Sequence, residues 1–357
     1  MKSGDKFNID GRCEGHNPVI AAIDLGTNSC RLLVASVNVT GIYKSPYRGR
    51  PSSTAWKIID SYGKTVKLGE GLHENDYLTE EAMDRALDAL AVCKRKMDLH
   101  GVNYLRAVAT EACRRALNAH ELAQRVKTEL GINIEVISSE EEARLALTGC
   151  AAVLNPLIPY AIIFDIGGGS TEIIFVSLEA QKRSRPGYPV PFKVIDSTSI
   201  PYGVVTTSNH LKNADPIIYN YELIKSEVYQ KVRKFVELNQ IPSLVEDGQI
   251  QLVGSSGTVT TIMAIMLDLP RYDRKKIDGV ESSIEKLLTV CRNIVRMTDE
   301  ERKNIPCIGE GREDLVMAGS AIFEGLATAL AIPKLKIADR GVREGILSEL
   351  LTEIARH

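Results

Sequence analysis

The chain has 357 residues, 44% hydrophobic and 25% charged side chains, and a formal net charge of −2. That is long enough for two domains with cores of their own, needing no disulfide or metal staple. The charge excludes a globally basic nucleic-acid binder, no apolar run approaches the ~18 residues of a membrane span, and the polar stretch 1–17 is a leader without the apolar segment of a secretory signal.

From the N-terminus, residues 19–24 and 31–37 are apolar runs flanking a glycine-containing stretch, 25–30. They predict a strand, a turn and a strand. A loop rich in Gly, Pro, Ser and Arg at 40–54 leads to a third strand over 56–68. Thr79 caps a helix running to about Leu99, with Glu80 and Glu81 in its first turn. A strand at 104–109 precedes a helix from about Glu111 or Asn118 to Leu130, closed by Gly131. A strand at 132–137 follows, and Ser138 or Ser139 caps a helix opening Glu140-Glu141-Glu142. The second half restarts the plan with strands at 161–165, 171–177 and 192–197, a polar loop at 181–191 and a helix at 216–238. A short strand at 251–253, helices at 259–267 and 313–330, and a terminal helix at 343–356 complete it. Three strands and then alternating helices and strands, given twice, is an α/β arrangement with mixed sheets.

The repeat is also local. Asp24-Leu25-Gly26-Thr27-Asn28-Ser29 returns as Asp165-Ile166-Gly167-Gly168-Gly169-Ser170, each matched pair 141 positions apart (165 − 24). Glycines between strands let backbone N–H groups approach an anion, so the copies suggest two facing phosphate turns. Thr27, Asn28, Ser29 and Arg31 can add donors to the first; a favourable hairpin turn explains it equally well. Three consecutive glycines are costly in conformational entropy, which makes sense if a phosphate must touch the backbone of Gly167, Gly168, Gly169, Ser170 and Thr171. A Walker A loop is absent. Asp165 and Glu172 flank these glycines and are suited to Mg²⁺.

Arg114 follows a strand end and can clamp a phosphate oxygen in bidentate fashion, or be one of two solvated arginines with Arg115. The three glutamates suit the positive end of a helix dipole. Only one of them can enter a cleft to orient a water, because helical neighbours diverge by roughly 100°. Residues 254–258, Gly-Ser-Ser-Gly-Thr, link a strand to a helix and fit either a third phosphate turn or a tight connection. The six histidines show no ligand spacing. The seven cysteines are odd in number, with no C-x-x-C pair, which points to reduced thiols in a cytoplasmic protein.

Together these segments resemble the exopolyphosphatase / guanosine pentaphosphate phosphatase family of the actin-like superfamily. The resemblance runs through residues 23–32, 107–114, 137–145 and 165–172, then Gly257-Thr258, Arg312-Glu313-Asp314 with Gly319, and Gly341-Val342-Arg343-Glu344-Gly345. Departures are Thr27 for the usual Ser, Thr110-Glu111-Ala112 for Thr-Ser-Ala, and serines at 255 and 256. The chain is similar to the short members that lack C-terminal helical domains. The resemblance implies two actin-like (ribonuclease H-like) domains, each a mixed five-stranded sheet with helices, facing across a cleft. The expected division is 1–141 plus 338–357, and 142–337. It also implies removal of a terminal phosphate from polyphosphate or pppGpp, with Mg²⁺ or Mn²⁺, in a homodimer. Glu142 then activates water, with Glu172 and Arg114 beside it. Asp165, Glu172 and Asp24 are the metal candidates, and Gly257, Thr258 and Arg312 further substrate contacts. An ATP-dependent small-molecule kinase and a non-catalytic actin-like nucleotide sensor are the alternatives the same turns allow.

Overall fold

The computed structural model describes residues 17–38, 56–155, 157–178, 192–212, 217–308 and 312–356. The expected loops at 40–54 and 181–191, and the leader up to residue 16, lie outside them. Strand β1 (Val19–Leu25) is apolar at nearly every position because both its faces are covered. It pairs antiparallel with β2 (Ser29–Val37), which pairs antiparallel with β3 (Trp56–Thr65). On its other edge β1 runs parallel to β4 (Tyr104–Ala109), and β4 to β5 (Ile134–Val136). The order is β3-β2-β1-β4-β5.

The second sheet repeats this order with β6 (Tyr160–Ile166), β7 (Thr171–Ser177), β8 (Lys193–Ile200), β9 (Ile250–Ser255) and β11 (Lys334–Ala338), as β8-β7-β6-β9-β11. It carries a sixth strand where five were expected: β10 (Glu281–Ser283) pairs antiparallel with β11 at the edge. Three residues are too few to show a period of two in sequence.

One face of the first sheet is covered by helix α1 (Glu80–Leu99) and, after the short helix α2 (Glu111–Arg115), by α3 (Ala119–Leu130). Thr79 Oγ1 accepts from the Ala82 amide, and Gly131 closes α3 at φ 68°, where only glycine is unstrained. The opposite face packs on α4 (Ser139–Cys150) and on the C-terminal helix. Leu145, Ala146, Ile346 and Leu347 form one core with Ile20, Leu33 and Val37. The later residues of α4, Leu147 and Cys150, share a core with Ile163, Ile174 and Val253 of the second sheet. So α4 spans the expected boundary at 141/142 and touches both halves. In chain order the remaining long helices are α5 (Val204–Lys212), α6 (Ile217–Leu238), α7 (Gly257–Met266), α8 (Ile284–Arg296), α9 (Glu313–Leu330) and α10 (Val342–Arg356). Among the described residues no helix is long and apolar enough to cross a membrane. The six described cysteines are free and buried.

Helices α4 and α10 cross with their backbones in contact. A methyl group on Gly345 would stand 2.0 Å from Leu145 O, and one on Gly149 2.1 Å from Gly341 O. Gly345→Ala is therefore expected to destabilise the protein by about 1–3 kcal/mol, the usual cost of overpacking. Thermal unfolding followed by circular dichroism checks this; an unchanged melting temperature would contradict so tight a crossing.

Candidate active site

The two glycine turns have the same construction. Gly26 N–H donates to Ser29 O at 2.9 Å, and Gly167 N–H to Ser170 O at 2.9 Å. Asp24 faces Arg31 across its hairpin, and Asp165 faces Glu172 across the other. Arg31 and Glu172 thus occupy equivalent places: the repeat has diverged into a cation in one copy and an acid in the other.

Both turns are anchored from behind by their carbonyls. Asn28 O accepts from the amides of Val66 and Lys67, and Thr27 O from Gly69. Gly167 O accepts from Val204, and Gly168 O from Val205 and Thr206, at the start of α5. A trans peptide sets its N–H opposite its C=O, so the amides of Asn28, Gly168 and Gly169 point away from these anchors. The turns also touch: a methyl group on Gly168 would lie 3.2 Å from Thr27 Cβ and 3.5 Å from the Asn28 amide nitrogen.

The three glutamates opening α4 diverge as helical geometry requires. Glu140 is exposed. Glu141 is bound by Arg144 at 2.7 Å and Arg106 at 2.9 Å, with Glu349 of α10 in the same network, and these cations hold its carboxyl down at about 2. Glu142 turns inward and accepts from Arg114 Nη1 at 2.7 Å. Burial pushes Glu142 up to about 7, reinforced by the Glu172 charge and opposed by Arg114. Arg114 also donates to Ile137 O at 3.0 Å and to Glu111 at 2.8 Å.

Glu172 accepts from Ser170 Oγ at 2.5 Å and Ser199 Oγ at 3.2 Å, yet burial raises it above the usual carboxylate range. Asp165 is driven well above that range by burial, then by the Glu172 and Glu142 charges. Burial also raises Asp24, against the pull of Arg31 and Arg343. Carboxylates from both halves of the chain thus meet: Glu142 feels the charges of Glu172 and Asp24, and Asp165 those of Glu172, Glu142 and Asp24.

Residues 50–354 match the profile of the Ppx/GppA phosphatase family. The chain belongs to this family. A Mycobacterium tuberculosis relative named exopolyphosphatase 2 is 28% identical over 342 residues, covering 93% of this chain and 98% of its own length. A Photobacterium profundum relative named guanosine-5′-triphosphate,3′-diphosphate pyrophosphatase is 25% identical, with 96% of this chain spanning 61% of that protein. The crystal structure of the Aquifex aeolicus Ppx/GppA family member superimposes with a TM-score of 0.71 at 27% identity, covering 94% of this chain and 98% of that one. The fold is the two-domain, actin-like one of this family.

Within this Ppx/GppA frame the structure brings together Asp24, Thr27, Asn28, Arg31, Arg114, Glu142, Asp165, Gly168, Gly169, Ser170 and Glu172. Ser29 opens β2, and Gly257 approaches Arg31 Nη2, 3.8 Å from where its Cβ would stand. Three further expected residues have side chains placed away from the turns. Thr171, expected on phosphate, is fully buried and its hydroxyl donates to Tyr202 O at 2.6 Å, so it holds the fold. The Thr258 side chain, likewise expected on substrate, is buried against Gly319 of α9. Arg312, the other expected substrate contact, is exposed at the N-cap of α9.

Sequence reasoning missed the parts that support the site. Glu111 is the second carboxylate on Arg114; its signal was its place three residues earlier on the same helical face. Ser199 on Glu172 carried no sequence signal. Gly203 packs directly on the second turn: a methyl group there would lie 2.3 Å from Gly168 C. Arg343 is half-buried near Asp24, and its neighbour Glu344 accepts from Arg274 at 2.6 Å and from the Gly341 amide at 2.9 Å.

Proposed function

We propose that this chain is a phosphoanhydride hydrolase that removes the terminal phosphate of inorganic polyphosphate, or the 5′-γ-phosphate of pppGpp, using a water activated by Glu142. The observation that carries this reading is the half-buried Glu142 carboxyl, raised to about 7 and hung on Arg114 beside two touching turns with outward-anchored carbonyls. The names of the Mycobacterium and Photobacterium relatives support the substrate class.

In this mechanism the amides of Asn28, Gly168 and Gly169 and the Arg31 guanidinium receive the terminal phosphoryl group. A phosphoanhydride has a good leaving group, so the protein's tasks are positioning and charge neutralisation. Water attacks phosphorus, the bridging P–O bond breaks, and its electron pair leaves with the shortened chain. Glu142 takes the water's proton; a base with pKa near 7 is suited to this at neutral pH. Arg114 holds Glu142 in place and lies close enough to meet charge developing on the phosphoryl oxygens.

The reading includes a divalent cation, Mg²⁺ or Mn²⁺, held by Asp165 and Glu172 with Asp24 nearby. The donors fit: all are hard carboxylate oxygens raised first by burial, and Asp165 also by the Glu172 charge, which a cation relieves. Among the described residues no three are gathered closely enough to hold a metal unaided, in keeping with a preference of Mg²⁺ for one or two carboxylates plus substrate phosphate. When bound, such an ion neutralises charge on the phosphoryl oxygens.

The test is orthophosphate release from short polyphosphate, long polyphosphate and pppGpp, side by side. Chelation is expected to abolish release, and Mg²⁺ to restore it and raise the melting temperature of substrate-free protein by mass action. Release that is insensitive to chelator would remove the metal from the scheme; no release from any of the three would overturn the function.

A further inference from the structure

A cavity of 610 Å³ lies beside the second turn, lined by Gly169 and Ser170 on one side and by residues of α2, α5 and α6 on others. Its position follows from the groups it shares with the site. Glu111, one of its walls, is joined through Arg114 to Glu142. The two serines that hold Glu172, Ser170 and Ser199, line it too. Arg31 and Gly257 are not in its lining.

An in-line displacement sets the attacking water and the leaving oxygen on opposite sides of phosphorus. If Glu142 is the base, the cavity adjoining its Glu111–Arg114 support is on the water's side, and the shortened chain departs elsewhere. The released orthophosphate carries the oxygen delivered from that side.

We propose that this cavity is the product-side port, which admits water and binds orthophosphate as it leaves; the inference rests on the hydrolase reading above. Its wall chemistry suits a small tetrahedral oxyanion. Arg115, His210 and Lys231 supply cationic and N–H donors. Its two carboxylates are engaged, Glu111 by Arg114 at 2.8 Å and Glu227 by the Tyr202 hydroxyl at 2.7 Å. Lys231 stands exposed on α6 and makes no ion pair among the described residues.

The experiment titrates inorganic phosphate, alone and at equilibrium, into the full-length protein and into Lys231→Ala and Lys231→Glu. Both variants sit on an exposed helical face and leave the catalytic groups in place. Lys231→Glu is expected to weaken phosphate binding about ten-fold, equivalent to ~1.4 kcal/mol, and Lys231→Ala by less. The KM for polyphosphate is expected to stay within about two-fold of wild type, since this ligand is met after bond cleavage. Unchanged phosphate affinity in Lys231→Glu overturns the port, whether or not the protein turns over polyphosphate. A raised KM with unchanged phosphate affinity overturns it too, by assigning the cavity to the substrate chain. Failure of wild-type protein to hydrolyse polyphosphate and pppGpp is a separate result that defeats the hydrolase reading, while the titration still judges the anion site.

Discussion

Glu142→Gln is expected to lower kcat by about 10²–10⁴, the range for loss of a positioned general base, with KM little changed. Glutamine keeps the shape and can still accept from Arg114, but it cannot take a proton from water. The acid limb of the kcat profile should vanish with it. In the wild type that limb reflects a carboxyl at about 7, which must be ionised to act, so activity rises with pH through that value. The same substitution has a stability signature of opposite sense. The folded protein holds the Glu142 proton more tightly than the unfolded chain, whose carboxyl titrates near 4.5. Below 4.5 both states are protonated and the two proteins melt alike. Between 4.5 and about 7 the wild type loses stability as pH rises, and above that the loss is complete. In chelator the variant should therefore gain up to about 3–4 kcal/mol over wild type at alkaline pH, a ceiling set by a shift of ~2.5 pH units. Melting curves at pH 5 and pH 8.5 check this. A pH-independent difference would show that burial does not load this carboxyl, and wild-type turnover in the variant would remove Glu142 from the chemistry.

The difference between what could and could not be read in the sequence lies in how local each feature is. The duplicated turns, the capped helix after Thr79, the capped glutamates and Arg114 are short patterns whose physics is contained within a few residues. The match between the two sheets was visible through the same repeat, because apolar runs on both sides of a glycine turn specify a hairpin by themselves. Helix α5 was not legible. Its first turn, Val204-Val205-Thr206-Thr207, is β-branched and favours extended structure by propensity. Packing overrides this: the helix forms because its amides satisfy the carbonyls of the distant glycine turn. Strand β10 is too short to carry a period, and β11, though bracketed by Pro333 and Gly341, has only five residues in which to show one. Thr171 and Thr258 show a side-chain direction the sequence does not display. A hydroxyl beside a glycine turn reads as a ligand, but strand alternation and helix packing send both side chains into the core. Glu111 and Arg114 were both in view, yet only the fold makes the pair a joint support for Glu142.

Gly203→Ala is the second substitution expected to have a large effect, and it acts without touching substrate. The added methyl group would lie 2.3 Å from Gly168 C and 2.4 Å from both Gly168 O and Gly169 N. None of these can yield as a flexible side chain would, since all are backbone. On its other side Gly168 already rests on Thr27 and Asn28, 3.2 and 3.5 Å from where its own methyl group would stand. The second turn is therefore gripped between Gly203 and the first turn. Alanine must either push the start of α5 away, breaking the bonds from Val204, Val205 and Thr206, or drive the turn into its partner. In both cases the Gly168 and Gly169 amides lose their alignment with the phosphoryl oxygens, and a displacement of ~1 Å at such a site costs about 10² in rate. The expected result is a fall of that order in kcat/KM, shared between kcat and KM because the turn contacts phosphate before and during the reaction. Thr206→Val grades the effect. The Thr206 hydroxyl donates to Gly203 O at 3.0 Å and accepts from Gly203 N at 3.2 Å, so its loss should loosen the same grip with a smaller change of the same kind. Were Gly203 only a packing residue, Gly203→Ala would lower the melting temperature and the active fraction while leaving kcat and KM per active molecule intact. Normal constants in the correctly folded fraction would thus refute the role assigned to α5.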